Sequence, residues 1–133
     1  MANKLKFSNL KIGTDICQTN RIKAVYKKHG KHFLNRVLTK TEIKYVTSQN
    51  KNLINCLAGR FAAKEAVSKV LGTGFKGIYF KEIEILREPS GAPRIVLHKR
   101  AKEKAKKLGL SNFEISISHE KSFAIAIAIG VGC

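Results

Sequence analysis

The spacing of apolar residues changes period along this chain, and each change marks an element. Residues 10–16 form an apolar run of strand character that ends at Asp15-Ile16. Asn20 is then placed to cap a short helix running through Ile22, Val25 and Tyr26 to Gly30. Phe33, Leu34, Val37 and Leu38 make a compact apolar cluster. Thr39-Lys40-Thr41-Glu42 matches a capping box, which opens the next helix with Ile43 and Val46 turned inward. Positions 48–52 read as a polar loop. The longest helical pattern covers 53–71, with Leu57, Phe61, Val67, Val70 and Leu71 as core candidates. It is rich in alanine, and Gly72 and Gly74 supply the usual stop signal.

Beyond 72–77 the period falls to two. Phe80, Ile83 and Ile85 predict a strand, Glu88-Pro89-Ser90-Gly91-Ala92-Pro93 a turn, and 94–97 its partner strand. A basic helix over 99–108 is closed by Gly109. Phe113, Ile115 and Ile117 then alternate with polar residues, as do Phe123, Ile125, Ile127 and Ile129 with alanines after a loop. That is a hairpin with His119-Glu120-Lys121-Ser122 near its tip. The run 124–129 is all Ala and Ile, so this strand is expected to be covered on both faces. A second layer of helices or a neighbouring subunit would serve equally. The predicted class is α+β: an antiparallel sheet, a long central helix and shorter helices. No linker or repeat divides the 133 residues, which suit a single domain over 1–133.

Composition narrows the partners. Lys and Arg number 26 against 9 Asp and Glu, a net charge of +17. Such a field draws in polyanions or acidic proteins. On charge alone a basic nucleic-acid-binding module is the competing reading. Against it, no zinc-finger, RRM-like or basic-zipper signature is present, and tryptophan is absent. No apolar run has the length of a membrane span, and residues 1–7 lack the apolar centre of a secretion signal, so a cytoplasmic location is expected. Cys17, Cys56 and Cys133 are scattered and odd in number, which suits reduced thiols.

With so few acids, the carboxylates can be weighed one by one. Glu65 stands alone among basic residues in the long helix, with Ser68 three and Lys69 four positions on. An acid, a hydroxyl and a cation on one ridge suit a metal ion and the phosphate it neutralises. The same spacing also describes an ordinary exposed Glu–Lys pair. Asp15 at the end of the first strand is the second candidate, and its alternative reading is a cap or turn residue.

Three segments decide between these readings. They are Gly13-Thr14-Asp15-Ile16, then Gly59-Arg60-Phe61-Ala62-Ala63-Lys64-Glu65-Ala66-Val67-Ser68-Lys69, then Ser116-Ile117-Ser118-His119. In this order the chain resembles the holo-acyl-carrier-protein synthase family, the small bacterial-type 4′-phosphopantetheinyl transferases, from about position 10 to 129. The resemblance implies that family's fold, assembled as a homotrimer with active sites at the subunit boundaries. It implies transfer of the phosphopantetheine arm of coenzyme A to a serine of apo-acyl carrier protein, in support of fatty acid biosynthesis. It makes Asp15 and Glu65 the catalytic acids and ligands of Mg²⁺. Lys69 should neutralise coenzyme A phosphates, with Ser68 and Gly72 lining the site and His119 contacting the coenzyme. Arg60 is expected either to bind phosphate or to hold the long helix to its neighbour, and Lys64 to be structural or tied to the carboxylates. Arg21 matches an arginine that meets the carrier protein, and Lys23, Lys27 and Lys28 add charge beside it. The base for the serine proton is left open between Glu65 and a metal-bound water. Two positions depart from the family pattern: Thr14 replaces a hydrophobic residue, and His98-Lys99 replaces a glycine-containing turn.

Overall fold

The computed structural model describes residues 9–132. The stretch 1–7 and the thiol of Cys133, both considered above, lie outside the described residues. Strand β1 (Asn9–Gln18) leads into three helices, α1 (Thr19–His29), α2 (Lys31–Val37) and α3 (Lys40–Thr47). A 3-10 turn over Asn50–Asn52 precedes the long helix α4 (Leu53–Val70). A second 3-10 turn (Phe80–Glu82) leads to β2 (Ile83–Arg87) and β3 (Pro93–Leu97). Helix α5 (Lys99–Lys107) and the hairpin β4 (Asn112–His119) and β5 (Phe123–Gly132) complete the chain. The strands form two antiparallel sheets, one ordered β1-β5-β4 and the other the β2-β3 pair.

Helix α4 lies between these parts and is buried on most of its circumference, as its apolar character all round requires. Ala58, Ala62, Ala63 and Ala66 on the helix and Ala124, Ala126 and Ala128 on β5 are all fully buried. Small side chains on both elements let the helix sit close on the sheet. Gly13 of β1 makes the nearest approach: a Cβ there would collide with the carbonyl oxygen of Ala66 and crowd Lys69 Cβ at 3.1 Å. This contact fixes the first strand, and with it Asp15, against the helix that carries Glu65.

A buried ion pair ties the helices to the second sheet. Lys64 Nζ donates to Glu42 Oε1 at 2.8 Å and to the carbonyls of Phe80 (3.0 Å) and Ile83 (2.6 Å). Glu42 also accepts from the backbone N–H groups of Thr39 and Ile85, at 2.8 and 2.9 Å. The pair is therefore fully hydrogen-bonded, the condition under which buried charge is tolerated. Burial draws the Lys64 ammonium below its usual pKa, against the opposing pull of Glu42. Lys64 is thus a structural residue tied to Glu42.

Several expectations need correcting. Asn20 does not cap α1: the helix begins at Thr19 behind Gln18, which makes no side-chain cap bond. Thr19 Oγ1 instead donates to Lys121 O at 2.7 Å, pinning the helix start to the β4–β5 loop. Phe80 belongs to a 3-10 turn, not to a strand. The run 124–129 is not covered on both faces within this chain. Its alanines pack on α4, but Ile125 and Ile127 are 44% and 42% exposed. Leu10, Ile12 and Ile16 of β1 lie exposed on the same side, with Ile12 opposite Ile129 and Ile16 opposite Ile125. No helical layer covers this face among the described residues. The Thr39/Glu42 capping box is formed as expected.

Candidate active site

The period of two in β1 sends Asp15 and Cys17 to the α4 side of the sheet, where Glu65 projects from the helix. Asp15, Cys17, Arg21 and Glu65 line one cavity of about 360 Å³, with Phe33 and Phe61 among its apolar walls. Partial burial, then the Asp15 carboxylate, raise the pKa of Glu65, while Lys69 lowers it. Burial, followed by Asp15, also raises the Cys17 thiol, so the thiol stays protonated and is a poor nucleophile.

Lys69 leans away from its helix neighbour. Its Nζ donates to Thr14 O at 2.8 Å and meets Asp15 Oδ1 at 3.3 Å, with the side chain 53% exposed. The exposed Glu65–Lys69 pair considered above is therefore replaced by a Lys69–Asp15 pair across two elements. Ser68 does not line the cavity. It is fully buried, and its hydroxyl donates back to Glu65 O at 2.6 Å. Gly72 has φ of 75° with open space where a Cβ would stand. Its requirement is conformational, at the end of α4.

Arg60 and His119 lie elsewhere. They share a cavity of about 240 Å³ with Tyr45 and Arg87, next to the β2–β3 turn. The Arg60 guanidinium stacks 4.4 Å over the Tyr45 ring, while its buried Nε has no hydrogen-bond partner. The stacking ties α4 to α3, the anchoring role weighed for Arg60. His119 ends β4, and β5 separates that strand from β1. One chain therefore carries two cavities that share no lining residue, one with both carboxylates and one with Arg60 and His119.

Comparison with known proteins places this arrangement. The profile of the 4′-phosphopantetheinyl transferase superfamily matches residues 11–128. The chain belongs to that superfamily. A holo-[acyl-carrier-protein] synthase from Halothermothrix orenii is 47% identical over 119 residues, spanning 90% of this chain and 94% of the relative. One from Clostridium kluyveri is 49% identical over 119 residues, spanning 89% and 87%. The Helicobacter pylori holo-[acyl-carrier-protein] synthase, solved in complex with coenzyme A, superposes with a TM-score of 0.77 at 38% identity. That match covers 90% of this chain and 98% of the other. The corresponding enzyme from Neisseria meningitidis gives a TM-score of 0.80 at 36% identity, covering 90% and 96%.

Within this superfamily the donor set of the first cavity can be tested against a metal. No group of three or more His, Cys, Asp or Glu residues suited to a metal occurs among the described residues. Two carboxylates do occur on one cavity, Asp15 and Glu65, and the Asp15 charge helps to raise the pKa of Glu65. Mg²⁺ is commonly held by one or two carboxylates, with waters and substrate phosphates completing its shell. The hard oxygen donors present fit that ion.

Cys17 and the aromatic wall of Phe33 and Phe61 were not singled out as site residues from the sequence. The position of Cys17 two residues beyond Asp15 on a strand was an available signal. Tyr45 under Arg60 had none, because the pairing joins α3 to α4 across the fold.

Proposed function

We propose that this chain transfers the 4′-phosphopantetheine arm of coenzyme A to a serine of apo-acyl carrier protein, with Asp15 and Glu65 at the reacting pyrophosphate. Holo-carrier protein and adenosine 3′,5′-bisphosphate are the products, and fatty acid biosynthesis is the use. The observation that carries the site assignment is the cavity shared by Asp15, Glu65 and Arg21. The serine oxygen attacks the phosphorus bearing the pantetheine arm. The P–O bond to the adenosine half breaks, and the hydroxyl proton leaves to a carboxylate or a water of the cavity. Asp15 and Glu65 would hold Mg²⁺, which would supply charge neutralisation at the pyrophosphate. Lys69, poised on Asp15 with an exposed ammonium, turns to a phosphate oxygen when the coenzyme arrives. Arg21 is exposed on α1 beside Lys23, Lys27 and Lys28, where an acidic carrier protein would meet a basic surface.

The two cavities, read as half-sites, support a homotrimer. Arg60 and His119 of one subunit would complete the carboxylate cavity of the next, with the coenzyme lying between. A head-to-tail contact of this kind makes a ring when its rotation closes. The open apolar face of β1 and β5 is a surface that such an assembly would cover. The whole chain, 1–133, acts as one domain. No helix among the described residues is long and apolar enough to cross a membrane. Together with the free thiols of Cys17 and Cys56, this supports a cytoplasmic enzyme. The nucleic-acid reading finds no support in the relatives.

Mass spectrometry of an apo-carrier protein incubated with enzyme, coenzyme A and Mg²⁺ tests the reading. The carrier should gain one phosphopantetheine. Asp15→Asn and Glu65→Gln should each lower transfer by about a hundredfold or more, as expected when one charge-stabilising group is removed. Arg21→Glu should weaken the carrier protein much more than coenzyme A. Unmodified carrier with the wild type, or full transfer in both carboxylate variants, would reject the assignment.

A further inference from the structure

A third cavity has no part in the chemistry above. It measures about 680 Å³ and lies between α2, the 3-10 turn at Phe80–Glu82, the end of β3 and the start of α5. It shares no residue with the cavity of Asp15 and Glu65. Arg36, Lys81, Lys99 and Lys102 stand around it, all exposed and none in an ion pair among the described residues. The acid in its lining, Glu82, is already committed. Its carboxylate accepts from the N–H groups of Tyr79 (2.6 Å), Arg100 (2.7 Å) and Ala101 (3.4 Å). His98, also at the lining, is paired with Glu84 at 3.0 Å. Four cations thus face the groove with no free counter-charge. Beside them Tyr79 is 73% exposed, and Leu97 adds an apolar side chain to the lining.

We infer that this groove is a second ligand site, for a nucleoside polyphosphate. Its base would stack on Tyr79, and its phosphates would be held by Lys81, Lys102, Lys99 and Arg36. Charge-assisted hydrogen bonds from several cations suit a polyphosphate, and an exposed tyrosine suits any flat base. The two features occur together, which distinguishes the groove from an ordinary solvated basic face. The volume admits a ligand of this size. Lys99 adds a local sign of cost. It holds φ of 47°, a backbone conformation that favours glycine, and places a cation at the groove.

Isothermal titration on the full chain separates this site from the catalytic one. The protein is first saturated with coenzyme A, whose own heat reports whether the proposed function holds. GTP is then added as the probe, because its base differs from the adenine of the coenzyme. One GTP per chain is expected. The double variant Lys81→Glu/Lys102→Glu should raise its Kd about tenfold or more, and Tyr79→Ala about tenfold. Both should keep the coenzyme A affinity and the circular dichroism of the wild type, since all three side chains are exposed. Inorganic tripolyphosphate should bind more weakly than GTP. Absence of GTP binding, or binding unchanged in both variants, would overturn the inference. Tripolyphosphate binding as tightly as GTP would overturn the stacking role and leave only an anion patch. A loss of carrier-protein affinity in the lysine variant without any GTP binding would reassign the groove to the protein substrate.

Discussion

The Lys64–Glu42 pair shows how much a single buried contact decides in this chain. Both side chains are fully buried, and between them they serve three elements. Lys64→Met would keep the apolar stem and remove only the ammonium, leaving the Glu42 carboxylate uncompensated. Breaking one partner of such a pair costs about 3–5 kcal/mol, so a clear drop in the urea midpoint is expected. A midpoint within error of the wild type would mean that the pair is dispensable. Lys99 offers the opposite case. Its positive φ is uncomfortable for any residue with a Cβ, so Lys99→Gly should stabilise the fold by about 1 kcal/mol, read by thermal unfolding. Destabilisation would show that the lysine side chain repays the strain through contacts. The departure from a glycine-containing turn was visible in the sequence, but the backbone conformation at this position was not.

Elements were legible where periodicity was strong, and less so where tertiary contacts chose the outcome. The alternation in β4 and β5 and the Thr39/Glu42 box each encode a local geometry, and each appears as read. Ser68 was read beside Glu65 because three residues along a helix share a face. Which part of that face is covered depends on tertiary packing, and in the fold Ser68 is fully buried. The cap of α1 was misplaced because Thr19 bonds to a carbonyl 102 residues away. The groove around Tyr79 was illegible for the same reason, being assembled from three separate stretches of the chain. Gly13 is the link between element packing and the site. Gly13→Ala would force β1 off α4 at the Ala66 carbonyl, a backbone atom that cannot swing aside. Overpacking of this kind costs about 1–3 kcal/mol. Because Asp15 rides on the same strand, transfer should fall by a larger factor than the loss of folded protein explains. Urea unfolding and the mass-spectrometric assay on one preparation would check this. Full specific activity in the destabilised variant would separate the strand contact from the catalytic geometry.

At the scale of the whole molecule, the open sheet face is where the proposed assembly can be tested. Ile127 lies on that face between Thr14 of β1 and Ser116 of β4, 42% exposed in the single chain. Ile127→Asp should therefore change the stability of an isolated chain little, since the new carboxylate would remain hydrated. In a trimer that covers this face, the same carboxylate would be buried without a partner, at a cost of several kcal/mol. The substitution thus separates assembly from folding. Sedimentation should find the wild type at three times the 14.8 kDa chain mass and the variant as a folded monomer. The monomer should also be inactive, because Arg60 and His119 would no longer face a neighbour's Asp15 and Glu65. Mixing it with an Asp15→Asn trimer would not restore transfer, since the monomer cannot dock. Ile127→Val, which keeps the apolar face, should remain trimeric and active. A wild type that sediments as a monomer at micromolar concentration and still transfers would remove the reason for joining the two half-sites across a subunit boundary. The coenzyme would then have to span them within one chain, past β5.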